Sequence, residues 1–184
     1  MEITEELADD LSSGTLPFDD AAIEGRLRAL IEERPDLYGI SAAFAPDAFP
    51  SDDRLHVIYL YRDDDGEIVA DIRESRYDYT QPPSDDPDAP ATNWYLDPIE
   101  NGPMWQEPFL AAGANEVLIE YGAPFFAPDS GDVAGVVALD FSLEGVDALV
   151  DGLELGQTGF GLLMNQSGTW LAHPVPEFVA TTTF

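Results

Sequence analysis

Cysteine is absent from this 184-residue chain, and so is lysine. Without cysteine there is no disulfide framework and no thiolate chemistry. Without lysine, no phosphate-cradling glycine loop can close on its usual cation. No Gly-x-Ser-x-Gly nucleophile elbow occurs either. Positive charge of any kind is scarce. All seven basic residues are Arg, against 37 Asp and Glu, for a formal net charge of −30. The two histidines, His56 and His173, lie far apart and lack the spacing of a transition-metal site. No run of about 18 apolar residues occurs. The N-terminus also lacks a basic-then-apolar leader pattern.

So acidic a chain repels nucleic acid, which needs basic contacts to phosphate, and anionic lipid. Its charge lies far beyond the magnitude of about 2–8 that keeps a small domain soluble. At low ionic strength such a surface repels itself and weakens the compact state. Molar salt shrinks the Debye length to roughly 3 Å and removes most of that cost. A salt-loving (halophilic) source is therefore expected. Apolar residues, by contrast, are plentiful at 45%, with 11% aromatics, enough for a packed core. The length suits one domain, or one domain plus part of a second.

Met1 to Glu33 reads as helix in one or two pieces, with a break at Ser12 to Pro17 and a cap at Asp19 or Asp20. Leu37 to Phe44 and Leu55 to Arg62 read as strands, the second with Val57, Tyr59 and Tyr61 on one face. Asp63 to Gly66 turns into a third strand, Glu67 to Ile72. Tyr77 to Thr92 is a loop and Trp94 to Glu100 a short helix. Val117 to Phe126 and Val133 to Phe141 are strands joined by a turn. Ser142 caps a further helix, and Phe160 to Ala172 makes a last hairpin around Ser167-Gly168. Antiparallel strands flanked by helices make an α+β domain.

Several segments, taken in order, carry a resemblance. They are Tyr38 to Pro46, Ile58 to Arg62, Trp94-Tyr95, Pro103 to Phe109, and the run Gly135-Val-Val-Ala-Leu-Asp140. They are followed by Thr158 to Pro174. The set resembles the double Cache (PDC, PAS-like) extracytoplasmic sensor domain found ahead of serine phosphatase, histidine kinase and chemoreceptor modules. The resemblance runs from about Leu27 to Pro174. It implies a PAS-like antiparallel sheet with a long N-terminal helix. The helical segment would be 1–34, the membrane-distal ligand-binding domain 35–155, and the beginning of a membrane-proximal domain 156–184. It further implies no catalysis and no cofactor. Instead a small-molecule ligand binds on the extracytoplasmic side of a membrane-anchored parent, with a homodimer through the N-terminal helix.

Amino-acid-binding members of that family use an acid at the end of this strand for the ligand's ammonium and an Arg ahead of Trp-Tyr for its carboxylate. By resemblance, Asp140 is the acid, Trp94 and Tyr95 are the pair, and Tyr121 is a later tyrosine of the site. Thr92 stands where the Arg would be, and a hydroxyl makes no charge-assisted pair with a carboxylate. An amine or another neutral or cationic ligand therefore suits the site better. Arg62 or Arg76 is either a substitute for that Arg or an internal ion-pair partner. Tyr61, Tyr95 and Tyr121 either line a pocket or fill the core; Trp105 reads as a core anchor. Asp140 is either a ligand contact or a neighbour of the Ser142 cap.

Two other chemistries compete. A carboxylate-pair hydrolase adapted to high salt would show two acids facing each other across an open cleft. Asp63 to Glu67 hints at calcium but lacks the full loop with its distal Glu, so it reads as a hairpin turn.

The charge argument has a direct test. Lowering salt from molar to millimolar is expected to lower the melting temperature measured by differential scanning calorimetry. A melting temperature indifferent to salt would refute the adaptation.

Overall fold

The computed structural model describes residues 2–75, 77–84, 89–110, 117–156 and 158–180. The N-terminal segment folds as two helices, α1 (Glu2–Ser12) and α2 (Asp20–Glu33). The break follows from local chemistry. Ser12 turns its hydroxyl back onto the Ala8 carbonyl at 2.7 Å, and Gly14 adopts a left-handed φ of 73°. α2 restarts on Asp19, whose carboxylate accepts the Ala22 amide at 3.0 Å. The apolar stripe Leu7, Leu11, Ile23, Leu27 and Ile31 is fully buried.

Among the described residues nine strands follow: β1 (Gly39–Phe44), β2 (His56–Arg62), β3 (Ile68–Glu74), β4 (Met104–Trp105), β5 (Phe109–Leu110), β6 (Val117–Phe126), β7 (Val133–Ser142), β8 (Leu163–Met164) and β9 (Trp170–Ala172). Helix α3 (Asn93–Asn101) precedes β4, and α4 (Leu143–Asp151) follows β7. The strands of the main sheet run in the order β3-β2-β1-β7-β6-β4, with β5 pairing the first residues of β6. The short strands β4 and β5 are additions to the elements expected from the sequence. With two residues each, they are too short to carry a periodic signal.

Register sets which residues share a face. Gly39 lies opposite Tyr61 on β2 and opposite Asp140 on β7. Ser41 lies opposite Tyr59 and Ala138, and Ala43 opposite Val57 and Val136. Since side chains alternate along a strand, these residues all face one way. The opposite face carries Ile40, Phe44, Ile58, Leu60 and Phe125, all fully buried, with α2 packed against β1 and β2. There Phe44 is the hub, edge-to-face with Phe18, Phe49 and Phe125 at 4.7–5.1 Å.

The chain divides into two compact units. The first comprises Met1–Glu107 and Glu120–Asp140, and holds every site residue discussed below. The second comprises Pro108–Ile119 and Phe141–Phe184. Within it, Ser142 caps α4 by accepting the Gly145 amide at 2.9 Å, and Asp147 of α4 accepts the His173 amide at 3.0 Å. Leu149, Leu153, Phe160 and Phe178 of this unit are exposed.

Gly135 shows how tight the sheet is. A β-carbon there would lie 2.2 Å from the Ala43 carbonyl oxygen and 2.5 Å from the Phe125 ring. Backbone and a packed ring cannot both yield, so Gly135→Ala is expected to cost about 1–3 kcal/mol. Urea unfolding measures this; an unchanged midpoint would mean that the strand relaxes freely.

Candidate functional site

The sheet face shared by Gly39, Tyr59 and Asp140 changes character along its length. At one end Ala43, Leu55 and Val136 form an apolar cluster with Tyr79 and Tyr95. Four residues along β7 from Val136 stands Asp140, a carboxylate only 6% exposed. Beside it, on the neighbouring strand β6, is Glu120, 5% exposed, and the two carboxyl groups act on each other electrostatically. Tyr59 donates its hydroxyl to Asp140 Oδ2 at 2.9 Å. Glycine at position 39 makes room for that bond. A β-carbon there would approach Tyr59 Oη to 2.6 Å and Asp140 Oδ2 to 2.9 Å.

Burial governs the electrostatics. It pushes Glu120 well above the ordinary carboxylate range, and the Asp140 charge pushes it further. Burial also raises Asp140, which the Tyr59 and Glu120 hydrogen bonds partly offset. The pair therefore titrates as a unit, with Glu120 the more strongly raised of the two. Burial raises Tyr59 too, followed by the Asp140 charge. The Tyr77 hydroxyl, pushed up to about 12 mainly by burial, also feels Glu120 and Asp140.

Aromatic rings surround this pair. Tyr61 stacks on Tyr59 at 5.4 Å and on Tyr38 at 6.5 Å. Tyr77 accepts the Trp94 indole N–H at 3.0 Å. What the site lacks is partners. Glu120 Oε1, Asp140 Oδ1, Thr92 Oγ1 and Gln106 Nε2 are buried with no hydrogen-bond partner among the described residues. Native proteins rarely leave such atoms unsatisfied, because each costs about 1–3 kcal/mol. Thr92 stands at the N-cap of α3, yet its hydroxyl makes no capping bond. Gln106 sits opposite Glu120 and on the same face, its backbone N–H donating to the Glu120 backbone carbonyl at 2.8 Å. An amide donor and carboxyl acceptors thus stand on one face, each without its bond. The orphaned atoms of Glu120, Asp140 and Gln106 on one sheet face suit a polar guest; Thr4 Oγ1 on α1 is a further buried atom without a partner among the described residues.

The structure brings together Asp140, Tyr61, Thr92 and Trp94 from the residues expected at the site. It places two others elsewhere. Tyr95 is 2% exposed and packs on Tyr79 at 4.5 Å inside the apolar cluster. Tyr121 follows Glu120 on β6 and so faces the opposite way, where its hydroxyl donates to Glu5 of α1 at 2.7 Å. Trp105, expected as a core anchor, is 44% exposed and lies edge-to-face on Tyr121. Arg62 is committed to the carbonyls of Ile31, at 2.7 Å, and Leu37, at 3.1 Å. Arg76 lies outside the described residues. Asp63 holds its own turn by accepting the amides of Asp65 and Glu67.

Sequence reasoning missed Glu120, Tyr77 and Gln106. Glu120 did carry a signal, as the sole charge in the apolar run Val117 to Phe126.

The sequence matches the family described as methyl-accepting chemotaxis protein-like, first PDC sensor domain, over residues 23–147. Among solved structures, it is similar to a methyl-accepting chemotaxis protein X, with 23% identity and a TM-score of 0.76 over 100% of this chain and 71% of that one. It is similar to the extracellular domain of a histidine kinase, mmHK1S-Z3, with 22% identity and a TM-score of 0.73 over 99% and 67%. These two likenesses speak to the fold. A third is the ligand-binding domain of the Pseudomonas aeruginosa amino acid chemoreceptor PctC in complex with GABA. It has 25% identity and a TM-score of 0.58 over 99% of this chain and 68% of that one.

The raised carboxyls set a pH dependence. A group raised on folding holds its proton to higher pH in the native state than in the unfolded one. Stability is then lost as pH climbs above the ordinary carboxylate value of about 4. Replacing Glu120 by the neutral isostere Gln is expected to flatten that loss and raise ligand-free stability at pH 7. Melting temperatures from pH 4 to 8, at fixed molar salt, compare the two proteins. Parallel curves would show that the pair is not buried as described.

Proposed function

The chain belongs to the methyl-accepting chemotaxis protein-like family of first PDC sensor domains, and we propose that it senses a small ammonium-bearing molecule at the Glu120–Asp140 pair. Sensing of a small ligand for a membrane receptor is the function of this family. The observation that carries the ligand class is the buried acid pair, which faces no cation among its described neighbours. An ammonium group offers what the orphaned oxygens lack, namely positive charge and several N–H donors. Tyr59, Tyr61 and Trp94 supply aromatic faces that favour a cation. The GABA complex of the P. aeruginosa relative is in keeping with such a ligand.

In this reading residues 35–155 are the membrane-distal ligand-binding domain. Residues 1–34 lead to the membrane and pair with a second copy. Residues 156–184 begin a membrane-proximal domain. The parent is anchored in the membrane with this domain on its extracytoplasmic side, and its surface charge is suited to salt. No described helix is itself long and apolar enough to cross a bilayer. Binding favours one of two conformations of the sheet, and the N-terminal helices pass the difference on.

The pair acts here as a binding group. A glycosidase needs its acids about 5 Å or more apart, leaving room for the sugar. Glu120 and Asp140 instead stand out of water on neighbouring strands, 5% and 6% exposed. The hydrolase reading thus lacks its cleft.

The test is a thermal-shift screen of amines, amino acids, nucleobases and small acids in molar salt. A ligand at 100 times its Kd adds about 2.7 kcal/mol to stability. Asp140→Ala is expected to abolish that gain while the domain still unfolds cooperatively. Equal ligand-induced stabilisation in wild type and variant would remove Asp140 from the site.

A further inference from the structure

We infer that Gln106 is a specificity-determining residue of the site. Its side-chain amide donates a hydrogen bond to an oxygen of the guest, so the sensor favours molecules that carry an acceptor oxygen within reach of the acid pair. This rests on the preceding reading of Glu120 and Asp140 as the binding group, and it adds the group that reads the rest of the molecule.

Register places Gln106. Trp105 lies opposite Tyr121, and the next pair along sets Gln106 opposite Glu120, joined by the backbone bond of 2.8 Å. Residues directly opposite on antiparallel strands hold their β-carbons about 5 Å apart on one face. Asp140 acts on Glu120 from the next strand, β7. Gly39 stands opposite Asp140, and Tyr61 opposite Gly39. One band thus crosses the sheet: an amide, two carboxyls, a gap at glycine and a ring.

Two atoms of that band decide the matter. Gln106 Nε2 is a buried donor without an acceptor among the described residues, and Glu120 Oε1 a buried acceptor without a donor. They belong to facing residues and yet do not close on each other. Leaving both bare is costly to the empty fold. The edge strand does not continue over them. β4 ends at Trp105, and Pro108 has no N–H to give to a ladder. Two residues along β6 from Glu120, Gly122 lets α3 close in on the same face. A β-carbon there would meet Pro98 Cγ at 2.7 Å. A guest that answers both bare atoms needs an acceptor for Gln106 and a donor for Glu120, close together. The amide is neutral, so a hydroxyl, carbonyl or carboxylate oxygen serves it alike. The class is an oxygen-bearing amine; a plain alkylamine satisfies the acids alone.

Probes that exchange one hydroxyl for a methyl isolate the Gln106 bond: ethanolamine against n-propylamine, and 4-aminobutan-1-ol against n-pentylamine. Isothermal titration of the whole chain in molar salt is expected to show the amino alcohol of at least one pair binding about tenfold more tightly. The alkylamine leaves a buried donor bare. In Gln106→Met, similar in shape but without the N–H, that ratio is expected to fall to about one through weaker binding of the amino alcohol. Without ligand the same variant is expected to melt about 3 °C higher, because an unpaired donor has been removed. Gln106→Leu repeats both measurements as a second apolar replacement. Equal affinities within both pairs would mean that water fills the gap and would overturn the role of Gln106. A preference that survives in both variants, or a lower melting temperature in both, would overturn it too. In each of these cases the acid-pair reading stands if Asp140→Ala abolishes binding of the amines. Failure of all four amines to bind would overturn both readings.

Discussion

Everything at this site follows from two carboxyl groups held out of water on neighbouring strands. Asp140 and Glu120 come from β7 and β6, and among the described residues neither has a basic partner to stabilise its charge. In a packed interior such a pair keeps one proton rather than two charges. The sheet then arranges its neighbours around the remaining charge. Tyr59 donates to Asp140, and glycine at position 39 leaves space for that bond. Fold stability alone gives no reason for this arrangement, since an apolar pair of the same shape would pack without desolvation cost.

The same constraint links the site to the rest of the chain. A net charge of −30 surrounds the pair with a field of its own sign. That field disfavours ionisation of buried carboxyls and draws cations towards the surface. Salt screens it over distances beyond a few ångströms, while a contact ion pair inside the domain is screened far less. Affinity at the site and solubility of the surface can therefore be tuned separately.

Much of the architecture was legible because periodicity and caps are local. Val57, Tyr59 and Tyr61 share a face by simple alternation, and Asp19 and Ser142 begin helices where short acceptors stand before apolar stripes. Asp140 was marked by its place at the end of an apolar strand. The rest depended on which residues meet across strands. Glu120 is one acid among 37, and nothing in its own neighbourhood says that β6 will set it beside Asp140. Tyr121 illustrates the complementary error. Adjacent residues on a strand face opposite ways, so a site that holds Glu120 excludes the tyrosine beside it. Trp105 was misjudged because a two-residue edge strand leaves one flank of a large ring open to water.

Arg62 gives the sheet a mechanical property. It follows Tyr61 directly in β2, and its guanidinium grips the last turn of α2 through Ile31 as well as the segment leading into β1 through Leu37. The ring on one side of the strand and the clamp on the other share a single peptide link. A push on that ring would load those bonds and, through them, the end of the helix. The strand is thus built like a short crank, on which a push at one surface of the sheet would become a pull on the rod behind it.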